Sequence, residues 1–457
     1  MAPPEIDLRS LPPGPRGPSA LVAARFLLRG PHFLDDCRDR YGDVFTIRLN
    51  TGRTVVIAGD PAIAKEVFQG GGEDLHAGAG NVVLKPILGG GSLLLLDGPE
   101  HMRQRKLMLP SFHGERMRAY GETMTEVAER YVGRWQAGRS FAVHPTMQAI
   151  TLEIILRTVF GVEDRARVEQ LAAPTKRLLN STDQPLRLLL LQLTSSKNAR
   201  PRSPWGRVYA LLEPVDALIH EEIAARRAAA AAGEEHDDVL SLLLSARDED
   251  GDALTDRELR DELLTLLLAG HETTATALAW TLERLVRTPA VLARVREEVQ
   301  DGESTEYLDA VVKEALRLRP VVPGVVRQLQ RPLSIGGIEL PKGCHIAPSI
   351  YLIHRRADVY PEPEAFRPER FLGEDAPTTY EWLPFGGGIR RCIGAAFAQY
   401  EMRIVLQTIL RRAELETTDA AAEPVKRRFV TYTPARGGRI RVTRLVPARP
   451  PAAVAAA

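Results

Sequence analysis

The stretch "LPFGGGIRRCIG", Leu383–Gly394, sets three glycines and two arginines directly before a cysteine. Cysteine is rare in this chain: Cys37 and Cys344 are the only others, and we interpret both as structural. The glycines at 386, 387 and 388 lack the G-x-x-x-x-G-K-[ST] or G-x-G-x-x-G spacing of a phosphate-binding loop. A zinc site would need further soft ligands nearby, and a nucleophilic cysteine would need a base that the stretch does not identify.

A thiolate that binds a metal cofactor at the start of a helix is the fourth interpretation. An apolar stripe after Cys392 predicts a helix from Ile393 to about Arg412. The free N–H groups at the start of that helix would favour a thiolate over a thiol. The glycines allow the backbone to pass close under a large flat cofactor, and Arg390 can pair with an acidic group at its edge. One cysteine thiolate as the axial ligand of iron is the haem-thiolate arrangement.

The stretch resembles the haem-binding signature of the cytochromes P450. The resemblance extends from about residue 11 to residue 445 and overrides the two domains that length alone suggests. It implies one large domain that is mainly α with small β-sheets (α+β), with a long central helix over haem b. We expect a proline-rich extended lead-in at 1–18, the haem-thiolate domain at 19–446 and a disordered Ala/Pro tail at 447–457. Cys392 is the implied metal ligand. The implied cofactor-binding positions of the signature are Phe385, Gly386, Arg390, Cys392 and Gly394.

Periodicity predicts the elements around the signature. A capping box at Thr255–Glu258 starts a helix that continues to just before Pro289, with a length of about 45–50 Å. A second helix covers "STEYLDAVVKEALRLR". The segments "DVFTIRL" and "TVVIAG" predict a hairpin turned by "NTGR", and "LSIGGIELPKGCHIAPSI" predicts two further strands around a turn.

Three further motifs occur in the order of the resembled family. Glu314 and Arg317 lie at i, i+3 on the second helix and can pair. The resemblance implies that Arg370, in "FRPERF", completes a structural triad with them. "HMRQR" places His101 and Arg105 on one helix face, and the family implies that they bind the haem propionates, together with Arg327.

The long helix carries "AGHETT", which resembles the family's oxygen-activation motif. Small residues at Ala269 and Gly270 leave room above a haem, and Thr273 lies on the same face. The implied catalytic pair is Thr273, whose hydroxyl can break the local backbone ladder and hold a water, and Glu272, which feeds protons from solvent. The zinc motif H-E-x-x-H is excluded, because position 275 is alanine.

The resemblance implies a monooxygenase that uses O₂ and hydroxylates a C–H bond. The chain ends soon after "GRIRVTRLV", so we expect electrons from NAD(P)H to arrive through a ferredoxin or flavodoxin and its reductase. A basic proximal face is the expected docking site. Its candidate residues are Arg103, Lys106, Arg390, Arg391, Arg411 and Arg412.

The family places substrate contacts in segments that are here poor in charge. These segments are 78–96, 178–193, 266–270, 321–325 and 430–434. They suggest a hydrophobic substrate such as a terpenoid, fatty acid or steroid, and so a role in secondary metabolism. The candidate lining residues are Val82, Leu84, Leu266, Ala269, Val322, Val325 and Tyr432.

Composition limits the other classes of function. A net charge of +1 argues against nucleic acid as a partner. The low, odd cysteine count fits a reducing compartment, and no apolar run reaches the roughly 20 residues of a membrane span. We therefore expect a cytoplasmic monomer without a membrane anchor. The rivals are a peroxide-using haem-thiolate peroxygenase or isomerase and a non-catalytic haem gas sensor.

Overall fold

The computed structural model of the protein describes residues 10–49, 52–112, 116–181, 200–418, 421–428 and 430–447. Several expectations fall partly outside these ranges: residues 1–9 of the lead-in, nearly all of the predicted tail, most of the 178–193 segment and two turn residues of "NTGR". The described part of the lead-in lies against the first strand, where the Thr46 N–H donates to the Pro13 carbonyl at 3.1 Å.

Helices make up most of the described structure. The helices are α1 Ser19–Arg29, α2 Pro31–Tyr41, α3 Pro61–Gln69, α4 Ala77–Gly80, α5 Lys85–Leu88, α6 Gly98–Met108, α7 Arg116–Val132, α8 His144–Thr158, α9 Arg165–Asn180, α10 Pro204–Ala231, α11 Val239–Ser245, α12 Asp256–Arg287, α13 Pro289–Asp301, α14 Glu306–Leu318, α15 Ile350–Ile353 and α16 Ala395–Arg412. The strands are β1 Val44–Arg48, β2 Thr54–Ala58, β3 Leu75–His76, β4 Ser140–Ala142, β5 Arg327–Leu329, β6 Leu333–Ile335, β7 Ile338–Leu340, β8 His345–Pro348, β9 Ala413–Thr417, β10 Val425–Arg428, β11 Thr431–Pro434 and β12 Arg439–Leu445.

The predicted long helix is α12, and it crosses the core. Thr255 caps it, and Glu258 returns the hydrogen bond, so the predicted capping box is confirmed. Its 32 residues span about 48 Å. It packs against α8 on one side and against α14 and α16 on the other. Most of its central side chains are buried, as a helix that is apolar on every side requires.

Small sheets surround this helical core. The largest has the strand order β1-β2-β8-β5-β3, with β1 and β2 forming the predicted antiparallel hairpin. The sequence predicted two strands in 333–350, but the structure has three there, β6, β7 and β8. β6 and β7 form a hairpin over Gly336 and Gly337, whereas β8 leaves it and joins β2 in parallel. Strands of three residues are too short for alternation to separate them.

The helix after the cysteine begins later than predicted. α16 starts at Ala395 with Gly394 as its N-cap residue, so Cys392 precedes the helix instead of opening it. The apolar stripe is buried as expected, with Met402, Val405 and Ile409 in the main core. The resulting architecture is mainly α with small sheets, as predicted.

Candidate functional site

The loop before α16 holds Cys392 in a fixed position. The Cys392 N–H donates to the carbonyl of Phe385 at 2.9 Å, which closes the glycine loop into a tight bend. The side chain of Cys392 is exposed. Burial nevertheless raises the pKa of its thiol, against an opposing hydrogen bond from the Gly394 N–H and the charges of Arg105 and Arg391. A side chain that has accessible surface yet is closely surrounded by protein lines an internal space.

The sequence predicts that the start of the helix favours a thiolate, and the Gly394 N–H acts in that direction by lowering the pKa of Cys392. Burial has the larger effect, so the pKa of the thiol lies above its ordinary value. A coordinating metal ion reverses this balance, because its own charge deprotonates the thiol it binds.

The glycines of the loop are required by two different constraints. A Cβ at Gly387 would lie 2.8 Å from the ring of Phe68, and one at Gly388 would overlap the Phe68 carbonyl. Gly386 and Gly388 both have φ above +60°. A Cβ at Gly386 or Gly394 would meet nothing within 4 Å. The loop is therefore packed against α3 on one side and open on the other.

Three arginines and one carboxylate act on His101 near this loop. The charges of Arg390, Arg105 and Arg327 all act on His101; burial first, and then these charges, lower the pKa of its imidazole to about 4. Burial lowers the pKa of Arg327 and of Arg390 to about 10. Among the described residues, the Nδ1 of His101 has no hydrogen-bond partner.

The carboxylate at the centre of this cluster is Asp97, which the sequence did not single out. It accepts hydrogen bonds from Arg390 Nη2 at 2.6 Å and from the N–H groups of Gly78 and Ala79 at 2.9 and 3.0 Å. Arg390 also donates to the carbonyls of Leu93 and Leu96. It therefore has protein partners in addition to any acidic group at a cofactor edge.

These residues fit a haem. Three guanidinium charges act on His101, whose Nδ1 has no partner among the described residues, and Asp97 offsets only part of this positive charge. Two propionates would supply further negative charge and hydrogen-bond acceptors. The accessible thiol, with open space over Gly386 and Gly394, fits a flat macrocycle carrying one axial sulfur ligand.

The "AGHETT" section of α12 also borders an internal space. Between residues 261 and 283, every position is buried except 266, 268, 269, 270 and 273. Leu266, Ala269, Gly270 and Thr273 follow the i, i+3, i+4, i+7 pattern of one helix face. The Thr273 hydroxyl donates to the Ala269 carbonyl at 2.6 Å. α12 is continuous through this section, so the hydroxyl does not break the backbone ladder.

From the sequence we expected Glu272 to feed protons from solvent, but its side chain has little contact with solvent. It is buried, with Oε1 accepting from Arg428 Nη1 at 2.7 Å and Oε2 accepting from Gln148 Nε2 at 2.8 Å. His144 Nε2 lies 3.6 Å from its Oε1. Both oxygens of the Glu272 carboxylate therefore have protein partners. The sequence missed Arg428 and Gln148, because α8 and β10 lie far from α12 along the chain.

The side chain of Glu314 on α14 contacts those of both Arg317, on the same helix, and Arg370. Arg317 donates to Glu314 through Nε at 2.6 Å and Nη2 at 2.8 Å, and both side chains are fully buried. Arg370 Nε donates to the same carboxylate at 3.3 Å. Arg317 Nη1 reaches the His354 carbonyl at 2.7 Å, which ties α14 to the segment after α15.

The candidate substrate residues differ in how far they are buried and in which cluster they contact. Leu84 and Leu266 are partly buried against the main core, Val322 is partly buried and Val82 is exposed. Val325 is partly buried against Phe68. Tyr432, which was also expected to line the pocket, is buried in a separate cluster with α1, α2 and β1, and its ring packs edge-on against the ring of Tyr351 at 6.3 Å.

The proposed basic face is less continuous than predicted. Arg103 pairs with Asp248 and Glu258, and Lys106 pairs with Glu249. Arg412 pairs with Glu129, and Arg390 with Asp97. Arg391 and Arg411 are exposed, but α16, about 27 Å long, separates them. Arg391 is therefore the exposed candidate beside Cys392.

Within the described ranges, no group of three or more His, Cys, Asp or Glu residues could hold a metal ion. In the same ranges, no helix is both long and apolar enough to span a bilayer.

Comparisons with known proteins agree with this geometry. A model of the Cytochrome P450 family matches residues 12–439. Putative cytochrome P450 135B1 of Mycobacterium tuberculosis (strain ATCC 25618 / H37Rv) is 45% identical over 438 residues, which cover 94% of this chain and 91% of that protein. Putative cytochrome P450 138 of Mycobacterium bovis is 39% identical over 446 residues, covering 96% and 97%.

Solved structures show the same fold. Retinoic acid-bound cyanobacterial CYP120A1 superimposes with a TM-score of 0.82 at 25% identity, covering 95% of this chain and 99% of that one. The haem domain of cytochrome P450DA has a TM-score of 0.81 at 26% identity, covering 94% and 97%. Sequence, fold and matched length together show that this chain belongs to the cytochrome P450 family.

Proposed function

We propose that this cytochrome P450 hydroxylates a C–H bond of a hydrophobic small molecule, with electrons supplied by a separate redox protein. The family is one of haem-thiolate monooxygenases, which is the general activity of the chain. The observation that carries the finer proposal is the accessible stripe of Leu266, Ala269, Gly270 and Thr273 on an otherwise buried helix. Apolar and small residues there leave room for an apolar ligand.

Haem b held by Cys392 would supply the oxygen chemistry, because a thiolate ligand pushes electron density onto iron and favours O–O cleavage. Cys392 would ligate its iron, and His101, Arg105, Arg327 and Arg390 would bind its propionates. Asp97 orients Arg390 and fixes the segment before α6.

Thr273 and Glu272 are the proposed proton-handling pair. The Thr273 hydroxyl lies on the accessible stripe and can donate to, or hold, a water in the pocket. The buried Glu272 carboxylate is one residue away, and Arg428 and Gln148 fix its position. In this arrangement protons reach Thr273 from inside the protein, and bulk water stays out.

The proposed substrate is a terpenoid, fatty acid or steroid skeleton. The pocket candidates Leu84, Leu266, Val322 and Val325 are all apolar, which favours contact with a hydrocarbon skeleton. A structural neighbour is named as retinoic acid-bound, and retinoic acid is an isoprenoid.

A peroxide-using enzyme and a haem gas sensor remain the competing functions. The first needs no proton delivery, whereas this chain keeps a buried acid and a threonine adjacent on α12. The second needs no accessible apolar stripe beyond the space for a diatomic gas. Both would lack O₂-dependent consumption of NAD(P)H.

The test is a reconstituted assay with a bacterial ferredoxin, its reductase, NAD(P)H and a panel of terpenoids, fatty acids and steroids. We expect substrate-stimulated, O₂-dependent NAD(P)H oxidation with hydroxylated product. Thr273→Ala should lower the product formed per NAD(P)H by roughly tenfold or more, with the electrons diverted to hydrogen peroxide. Thr281→Ala is the matched control, since its hydroxyl bonds to a carbonyl of the same helix but lies in the core.

Two outcomes would contradict the proposal. Product formed only with added peroxide would favour the peroxygenase. Haem binding with no turnover of any substrate by either route would favour the sensor.

A further inference from the structure

A second triple glycine, Gly89–Gly91, lies against the first turns of α12. The Gly91 N–H donates to Asp261 Oδ2 at 2.8 Å, and the Leu93 N–H donates to Glu262 Oε1 at 2.7 Å. Between them, the Ser92 and Thr265 hydroxyls are hydrogen-bonded to each other at 2.8 Å. Three consecutive residues of this segment are thus held by three side chains of one helix.

The glycines explain how the segment comes so close to α12. Gly89 has φ +85°, and a Cβ there would overlap the carboxylate of Asp261. A Cβ at Gly91 would lie 3.1 Å from Asp261 Oδ2. Larger residues at these positions would push the segment away from the helix, so the sequence is adapted to this contact.

Neighbouring groups extend the attachment on both sides. Arg260 donates to the Leu88 carbonyl at 3.2 Å and, through Nε, to Asp216 of α10 at 2.9 Å. The Leu93 carbonyl accepts from Arg390 Nη1 at 3.1 Å. The peptide groups on either side of Leu93 therefore connect α12 to the arginine of the cysteine loop.

Glu262 is the unusual member of this set. It is fully buried, and its Oε2 has no hydrogen-bond partner among the described residues. A buried carboxyl without full pairing is costly, so a position that only filled the core would be better served by an apolar residue. Among the residues that the structure describes, the Leu93 amide is its hydrogen-bond donor.

Glu262 also lies on the face of α12 that carries the accessible stripe. Counting along the helix, Leu266 is i+4 from it, Ala269 is i+7 and Thr273 is i+11, so all share one face. The 88–97 segment, attached at Glu262, therefore crosses the end of that stripe.

We propose that Glu262 is a positioning residue that fixes the 88–97 segment as the end wall of the substrate pocket and so limits the length of substrate that is accepted. The proposal rests on the stripe being the pocket of the proposed monooxygenase. Asp261 and Thr265 support the same contact. Glu262 acts through the backbone of the segment and touches no reacting atom.

The experiment compares Glu262→Leu with Glu262→Gln in the haem-loaded protein. Leucine keeps the volume but loses the acceptor, whereas glutamine keeps an oxygen for the Leu93 amide. Hydrogen–deuterium exchange of peptides within 88–97 should be at least tenfold faster in Glu262→Leu and unchanged in Glu262→Gln. Exchange elsewhere should stay the same.

Ligand size gives the second readout. Imidazole and 4-phenylimidazole are titrated by their optical shifts, because the first is too small to meet the wall and the second extends along the pocket. The ratio of their Kd values should change at least fivefold in Glu262→Leu and less than twofold in Glu262→Gln. Unchanged exchange together with an unchanged ratio in Glu262→Leu would overturn the proposal.

A matched pair covers the case in which Glu262→Leu does not fold. Thr265→Val and Thr281→Val each remove a buried α12 hydroxyl that bonds to the i−4 carbonyl, but only Thr265 also contacts Ser92. Faster exchange of 88–97 in Thr265→Val alone supports the proposal, and equal exchange in both contradicts it. If the wild type gave no azole shift, the pocket assignment of the proposed function would fail instead. A normal wild-type shift with unaltered variants would remove only this inference.

Discussion

At the scale of the residue, the glycines of the cysteine loop are constrained by different neighbours. Gly388 is both left-handed and in contact with the backbone of α3 at Phe68. Gly386 is left-handed but borders open space. The two positions therefore separate backbone strain from steric overlap within one loop.

Gly388→Ala should destabilise the protein more than Gly386→Ala. Alanine at either position is strained by about 1–2 kcal/mol in the left-handed region. At position 388 the overlap with Phe68 should add about 1–3 kcal/mol. Thermal unfolding of the two variants beside the wild type measures this difference, and equal melting temperatures would show that the loop can move away from α3.

Glu262 makes a pH-dependent contribution to stability that a single substitution can isolate. Burial, with smaller contributions from the carboxylates of Asp261 and Glu258, raises its pKa from 4.5 to about 8, against the hydrogen bond from Leu93. The folded state thus prefers the protonated acid. Its stabilisation is complete below pH 4.5 and is lost as the pH rises towards 8.

Glu262→Gln should remove this dependence, because glutamine mimics the protonated acid at every pH. The free energy of unfolding of the wild type should fall relative to that of Glu262→Gln as the pH rises, by up to about 1.4 kcal/mol per pH unit. Denaturant unfolding at pH 5, 6.5 and 8 measures this. Parallel pH profiles for the two proteins would mean that Glu262 titrates normally.

At the scale of the element, α12 is connected to distant parts of the chain by buried polar contacts. Glu272 reaches α8 through Gln148 and β10 through Arg428. The periodicity of α12 and its capping box were readable from the sequence, because both depend on residues within a few turns. The partners of Glu272 were not, since 124 and 156 residues separate them from it along the chain.

Arg428→Leu should strongly destabilise the protein by leaving the buried Glu272 carboxylate without its cationic donor. Breaking one side of a buried ion pair costs about 3–5 kcal/mol. The double variant Arg428→Leu/Glu272→Leu should recover most of this loss, because both charges are then absent. Denaturant unfolding of the two single variants and the double variant closes the cycle, and additive losses would show that the two residues are not coupled.

At the scale of the whole molecule, the docking of a redox partner depends on which cations remain unpaired. Arg391 is exposed, and its positive charge lowers the pKa of the Cys392 thiol. Lys106 is paired with Glu249 on the surface. A charge reversal at Arg391 changes the charge beside the thiol, whereas one at Lys106 makes the same change of net charge elsewhere on the surface.

Arg391→Glu should slow electron transfer from an acidic ferredoxin by roughly three- to tenfold at low salt, because steering by local charge is lost. The difference should fade as salt screens the surface charges. Lys106→Glu is the control and should have a smaller effect. Stopped-flow reduction under carbon monoxide gives the rates, and equal slowing by both substitutions would indicate a net-charge effect without a docking site at Arg391.

Most of the architecture and part of the site were predictable from the sequence. The Cys392 loop, Glu314 with Arg317, and the AGHETT section lie within short motifs, so their spacing carries the information. The packing of Tyr432 against Tyr351 was not predictable, because every residue of β11 is buried and the sequence does not show which side each one faces. Asp97 was missed because its partner Arg390 is 293 residues away.

The central claim is that Cys392 ligates a haem iron, and one spectrum tests it most directly. The purified protein is reduced, exposed to carbon monoxide and compared with the reduced sample alone. We predict the red-shifted absorption band of thiolate-ligated haem, and its loss in Cys392→Ala with the fold retained by circular dichroism. A band typical of histidine-ligated haem, or an identical red-shifted band in Cys392→Ala, would contradict the account.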